Sequence, residues 1–97
     1  MKTIIIEQAL EELKAAVEYY EDQQRGLGLK LTEEIEQHVK WISKNTEIPR
    51  LRPGGYRRVN LKIFPFYIAY IIKKDVVWIA AIAHGYRKPG YWIQRKI

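Results

Sequence analysis

Two apolar runs, Phe66 to Ile72 and Val76 to Ala83, are separated by nothing but Lys73-Lys74-Asp75. Neither run alternates apolar with polar residues, as a strand wetted on one whole face does. Both therefore read as central strands covered on at least part of each side. A connection this short joins them as an antiparallel hairpin. Upstream, Tyr56 to Lys62 does alternate and reads as a third strand, with Pro65 unable to donate to a ladder and so placed at a strand entrance or a bulge.

The first half of the chain has a different period. Between Gln8 and Arg25, Ala9, Leu10, Leu13, Ala16, Val17 and Tyr20 fall on one helical stripe, with Glu11, Glu12, Lys14, Glu18 and Glu21 on the wet side. Gly26-Leu27-Gly28 breaks that helix, because glycine takes the positive φ that a tight C-terminal cap needs. Leu31, Ile35, Val39 and Ile42 form a second stripe that runs out near Lys44-Asn45. So short a break folds the two helices into an antiparallel hairpin. Lys2 to Ile6 reads as a short strand, and Thr46 to Gly55, with Pro49, Pro53 and Gly54-Gly55, as a loop.

The expected architecture is α+β, a single domain over residues 1–97. A short N-terminal strand precedes helices at about 8–25 and 28–44, packed on one face of an antiparallel meander at about 56–62, 66–73 and 76–84. Leu13, Val17, Ile35, Val39, Ile68, Tyr70, Ile79 and Ala81 are the expected core. After Ala83 the chain turns irregular, with at most a helical turn around Tyr91–Lys96.

Composition excludes several chemistries. There is no cysteine, hence no disulfide framework and no zinc–thiolate site. Only His38 and His84 offer imidazole, so a histidine-rich metal centre is unavailable, and no metal or cofactor is expected. Ile4-Ile5-Ile6 is too short for a signal-peptide core or a membrane span, which makes a cytoplasmic protein the expectation. No Ser-His-Asp set, phosphate-binding glycine loop or paired-carboxylate site is evident.

Charge is strongly polarised. Residues 1–45 hold six Lys/Arg against nine Asp/Glu, whereas residues 46–97 hold eleven against two. A domain so divided is suited to an acidic partner, protein or nucleic acid. Arg57, Arg58 and Lys62 come from the first meander strand; Arg87, Lys88 and Arg95 come from the tail. A meander can bring the two sets around one sheet face, where arginine's planar fork fits phosphate or carboxylate. Tyr91 and Trp92, outside any periodic run, are candidates to stack on bases or anchor a protein. His84, where the last strand stops, is a possible general acid or base; as a nuclease set it would act with Arg87, Tyr91 and Arg58. The competing role for His84 is structural, orienting the Gly85–Arg87 turn.

The order of Gly26-Leu27-Gly28, Gly55-Tyr56-Arg57-Arg58, Phe64-Pro65-Phe66-Tyr67-Ile68-Ala69-Tyr70 and His84-Gly85-Tyr86-Arg87-Lys88-Pro89 resembles the RelE/ParE superfamily of type II toxin–antitoxin toxins across nearly the whole chain. The resemblance implies a small basic cytoplasmic toxin, neutralised by a co-expressed antitoxin whose C-terminal segment wraps around it. RelE-like members are ribosome-dependent mRNA endonucleases that use Lys and Arg on the sheet with a C-terminal Arg and Tyr. ParE-like members share the fold, lack that set, and poison DNA gyrase. Here Arg58 and Asn60 stand where a nuclease would show a Lys pair, and Phe66-Tyr67 where it would show an Arg. Those departures, with Phe64-Pro65-Phe66 and His84-Gly85-Tyr86-Arg87, bring the chain closer to the ParE-like branch. On that reading it is a non-enzymatic gyrase poison. The mRNA endonuclease, with ribosome and mRNA as partners, and a non-toxic α+β binding module remain the alternatives.

Overall fold

A computed structural model describes residues 1–97. Its elements are β1 (Lys2–Ile5), α1 (Glu7–Gln23), α2 (Leu27–Lys44), β2 (Arg57–Asn60), β3 (Phe66–Lys73) and β4 (Val76–His84). The four strands form one sheet in the order β1-β4-β3-β2, with β1 parallel to β4 and the other neighbours antiparallel. The meander, the helix hairpin and the α+β class are thus as the sequence implies, and element ends agree to within two residues. No helix is long and apolar enough to cross a membrane.

Between β3 and β4 the chain reverses through Lys74 and Asp75, both left-handed at φ 53° and 60°. Two successive positive φ values match the twist of paired strands, so the turn closes tightly although neither residue is glycine. Further along, the register shifts beside Ala69 and Tyr70: Ala69 faces Ala81 and Tyr70 faces Ile79, leaving Ala80 as a bulge. One extra residue inverts the alternation of the strand. Val77 and Ile79 before the bulge and Ile82 after it therefore all reach the helix-side core, while Ala81 and Ala83 face the other way.

The helices pack on one sheet face over Ile68, Tyr70, Val77, Ile79 and Ile82, into which they send Ala9, Ala16, Leu31, Ile35 and Ile42. Gly26 carries the left-handed bend at φ 93°. Gly28 plays a different part from the cap expected of it: it lies inside α2, where a Cβ would meet the Val17 carbonyl oxygen at 3.0 Å. Its lack of a side chain lets the two helices approach. Glu21 closes the hairpin, its carboxylate accepting the Gly26 and Gly28 N–H groups at 3.0 and 3.1 Å. Leu13, Val17 and Val39 are only half-buried, not interior as expected, because they line the outer seam between the helices, which nothing covers.

Two acidic side chains do structural work that helical periodicity does not reveal. Glu34 is 5% exposed and accepts hydrogen bonds from three successive backbone N–H groups, Lys62 at 2.8 Å, Ile63 at 3.1 Å and Phe64 at 3.2 Å. It ties α2 to the β2–β3 loop. Glu12, expected on the wet face of α1, instead turns towards β4 and the C-terminal segment, with 17% of its side chain exposed.

The second sheet face carries Tyr67, Ala69, Ala80, Ala81 and Ala83, a floor of small residues around one large ring. The C-terminal segment fills it with Trp92, which is 2% exposed and meets Tyr67 and Tyr56 edge-on at 5.5 and 5.2 Å.

Candidate functional site around the C-terminal segment

β1 pairs with β4 only as far as Ile79, and the Ile6 N–H still reaches the Ile79 carbonyl at 3.2 Å. Beyond that point the β4 edge has no strand beside it, and a bare edge leaves unpaired backbone groups. Side chains satisfy them. Arg95 Nη1 donates to the Ala80 carbonyl at 3.0 Å, and the Ile82 N–H donates to Glu12 Oε1 at 3.1 Å.

The same Glu12 carboxylate also accepts Arg95 Nη1 at 3.0 Å, Arg95 Nη2 at 3.2 Å and the Tyr91 hydroxyl. One carboxylate thus holds a helix, a strand and the C-terminal segment together. Burial, the hydrogen bond to Glu12 and the charge of Glu12 push the Tyr91 phenol far above its ordinary range; Arg87 and Arg95 oppose that only in part. Tyr91 stays protonated at any physiological pH.

On the resulting surface the basic residues separate. Arg58 faces the second sheet face, its guanidinium 4.1 Å above the Tyr67 ring and bonded to Asn60 Oδ1 at 3.0 Å. Arg87 is exposed and lies 3.8 Å above the Tyr91 ring. These two, with exposed Lys88 nearby in sequence, are the members of the expected cluster that this side of the molecule displays.

Three others depart from it. Arg57 pairs with Tyr70 and so points to the opposite sheet face, where it donates to the Glu47 and Pro49 carbonyls at 3.2 and 2.7 Å. Alternation along β2 puts it there. Lys62 lies past the end of β2, lining the hollow beside Trp41 and His38 of α2. Arg95 is turned inward to Glu12. Trp92, expected to meet a target, is a core residue instead, because the alanine floor leaves a ring-sized space that it fills.

His84 is bonded into the turn that follows it. Its Nδ1 accepts the Tyr86 N–H at 3.2 Å, and its ring stands edge-on to Phe66 at 5.3 Å. With Nδ1 an acceptor, the tautomer that fits this bond has its hydrogen on Nε2. Tyr91 has committed its hydroxyl to Glu12. Of the four nuclease candidates, His84 and Tyr91 are thus bonded within the protein, while Arg58 and Arg87 remain on the second sheet face.

Sequence reasoning missed Glu12 and Tyr67. Tyr67 is 1% exposed and its hydroxyl has no partner in the protein; burial raises its phenol above the usual value, offset in part by Arg58.

The family model for the ParE toxin of type II toxin-antitoxin systems, parDE, matches residues 4–89. The chain belongs to the ParE toxin family. Among solved structures, this ParE-family chain is similar to one from the chromosomal ParDE toxin–antitoxin system of P. aeruginosa, with a TM-score of 0.76 and 23% identity, covering 87% of this chain and 95% of that one. At that identity the likeness speaks for the fold. A search of curated proteins finds no match. The family match stops at residue 89, so in this ParE-family member the clasp residues Tyr91 and Arg95 lie just beyond the matched region.

Proposed function

We propose that this ParE-family chain inhibits growth as a non-enzymatic poison of DNA gyrase and is neutralised by a cognate antitoxin. The observation that carries the non-enzymatic reading is the engagement of both candidate proton-transfer groups. His84 Nδ1 accepts the Tyr86 N–H, and the Tyr91 hydroxyl is held by Glu12. General acid–base catalysis needs such groups free to reach a reacting atom. What stays available is a recognition surface led by exposed Arg87, a residue type common among interface hot spots.

The antitoxin reading is supported by the seam between the helices. Leu13, Val17, Thr32 and Val39 are half-buried there, a stripe that an amphipathic helix would cover. An acidic, initially disordered segment would add attraction to the basic half of the chain and fold as it binds.

Two assays on induced cells decide the target. Gyrase–DNA complexes trapped with mRNA intact would support the proposal. Rapid ribosome-dependent mRNA cleavage without gyrase-linked DNA breaks would replace it with the endonuclease reading, for which the shared face of Arg58 and Arg87 is the favouring observation. For the antitoxin, the purified chain should capture the product of the neighbouring reading frame at low salt. Failure to bind it would remove that half of the proposal.

A further inference from the structure

Arg87 leads the recognition surface, yet no hydrogen bond or ion pair holds its guanidinium; the one ion pair in the protein joins Glu12 to Arg95. A long exposed side chain left to itself samples many rotamers, and ordering it on binding lowers affinity. What restrains Arg87 is the Tyr91 ring, 3.8 Å from the guanidinium carbon. The direction in which Arg87 is presented therefore depends on how that ring is placed.

Three features place it. Pro89-Gly90, with Gly90 left-handed at φ 95°, turns the chain so that Tyr91 comes back beneath Arg87. Trp92, itself 2% exposed, meets the ring edge-on at 5.0 Å. The hydroxyl donates to Glu12 Oε2. Glu12 is held in turn, by the Arg95 fork and the Ile82 N–H. The bond to Glu12 also acts on the electrons of the ring. A phenol that donates to a carboxylate gives its ring more negative charge, and the attraction of the ring face for a cation grows with it. Arg95 lies 5.1 Å from the same ring, but its N–H groups are committed to Glu12 and the Ala80 carbonyl.

We propose that Glu12 is a positioning residue for Arg87: acting through the Tyr91 ring, it fixes the direction in which the guanidinium meets the target. The proposal rests on the reading of Arg87 as the recognition residue. It ties that residue to helix α1, which shares no other contact with it. Tyr91 lies beyond the matched residues 4–89, so membership of the family does not by itself imply the relay.

The test has to separate positioning from stability. The mobility of Arg87 Nε–Hε is measured by NMR relaxation on the purified full chain, and growth inhibition is titrated against the level of the chain in the cell. In the unaltered chain the Arg87 order parameter should lie above about 0.6. Tyr91→Phe, which keeps the ring but breaks its bond to Glu12, should bring it below about 0.6, into the flexible range. Tyr91→Leu removes the ring face and should lower it further, and Glu12→Gln, read where melts show it folded, should free Arg87 in part. Tyr91→Phe should also raise the level of chain needed to halve growth by about fivefold, the scale of one exposed cation–π contact. Arg95→Lys is the contrast: it loses one prong of the fork and leaves the Tyr91–Glu12 bond. It should lower the thermal midpoint, keep Arg87 ordered, and lose less inhibition than Tyr91→Phe.

An order parameter already in the flexible range in the unaltered chain, or one indifferent to Tyr91→Phe and Tyr91→Leu, would overturn the relay and leave Arg87 standing as the recognition residue. Inhibition that simply follows the thermal midpoint, with Arg95→Lys as weak as Tyr91→Phe, would overturn it as well. Full growth inhibition by Arg87→Ala would overturn the recognition reading itself, and with it the claim that Glu12 acts on the target.

Discussion

Glu12 of α1 and Arg95 of the C-terminal segment form a two-pronged ion pair, Nη1 to Oε1 at 3.0 Å and Nη2 to Oε2 at 3.2 Å, across the part of β4 that β1 leaves unpaired. Each side chain is 17% exposed, so neither charge is well hydrated if the other is removed. Glu12→Ala and Arg95→Ala should each lower stability by about 3 kcal/mol, because each strands the opposite charge. The double variant should lose clearly less than the sum. Urea unfolding of the four proteins checks this; additive losses would show that the pair is not coupled.

Helical and strand periods carried the layers of this fold, because burial on one stripe or one face leaves a repeating mark in the chain. Glu12 left no such mark. Its place on the wet side of α1 is that of a solvated acid, and only the bare edge of β4, created where β1 stops, and the C-terminal segment beside it give it donors to satisfy. Trp92 was ambiguous for the same reason: its burial depends on Ala69, Ala81 and Ala83 standing side by side, which strand pairing and the Ala80 bulge bring about. Arg58 and Arg87 were legible as cations. That Arg57 and Arg58 serve opposite faces follows once β2 is known to be a strand.

The raised phenols predict an alkaline weakness. In the unfolded chain a tyrosine ionises near pH 10, whereas Tyr91 in the folded protein holds its proton well above that, through burial, the bond to Glu12 and the charge of Glu12. Its contribution is fully present below the unfolded value and is lost as pH rises beyond it, because the unfolded state then releases a proton that the folded state keeps. Tyr67 and Tyr70, raised first by burial, act in the same sense. Stability should fall steeply above about pH 10, and Tyr91→Phe should make the fall shallower by about one proton. Urea midpoints measured against pH give the answer; an unchanged slope in Tyr91→Phe would contradict it.

Glu34 offers a second structural test. Its carboxylate is the acceptor for the N–H groups of Lys62, Ile63 and Phe64. Glu34→Ala leaves these donors without their acceptor and should cost about 3 kcal/mol, while Glu34→Gln, which keeps one oxygen, should cost about half as much. Amide hydrogen exchange should quicken at residues 62–64 in both variants. A loss below about 0.5 kcal/mol, within the range of ordinary surface substitutions, would mean that the loop holds its shape without the acid.

The turn between β3 and β4 is open to improvement. Lys74 and Asp75 both occupy the left-handed region, which Gly enters most freely, Asn and Asp less so, and Lys at a cost. Replacing the pair with Asn-Gly, the sequence that such a turn favours, should raise stability by about 1 kcal/mol with the strands unchanged. Thermal melts would detect the shift, and a fall in melting temperature would argue against the turn geometry.

Recognition and folding can be separated within the C-terminal segment itself. Arg87 is exposed and bonded to nothing through its guanidinium, so Arg87→Ala should abolish growth inhibition while moving stability by no more than about 0.5 kcal/mol. Trp92 fills the alanine floor, and Trp92→Ala should lose about 3–5 kcal/mol, removing toxicity only because the protein unfolds. His84→Ala should be milder than either, since its Nδ1 orients one turn. The growth assay and the melt have to be read together for each variant. Toxicity retained in Arg87→Ala would exclude this residue from the target interface. A deep loss in a folded His84→Ala would show that the imidazole does more than stabilise the fold, through chemistry or through the placement of Arg87 in the turn it orients.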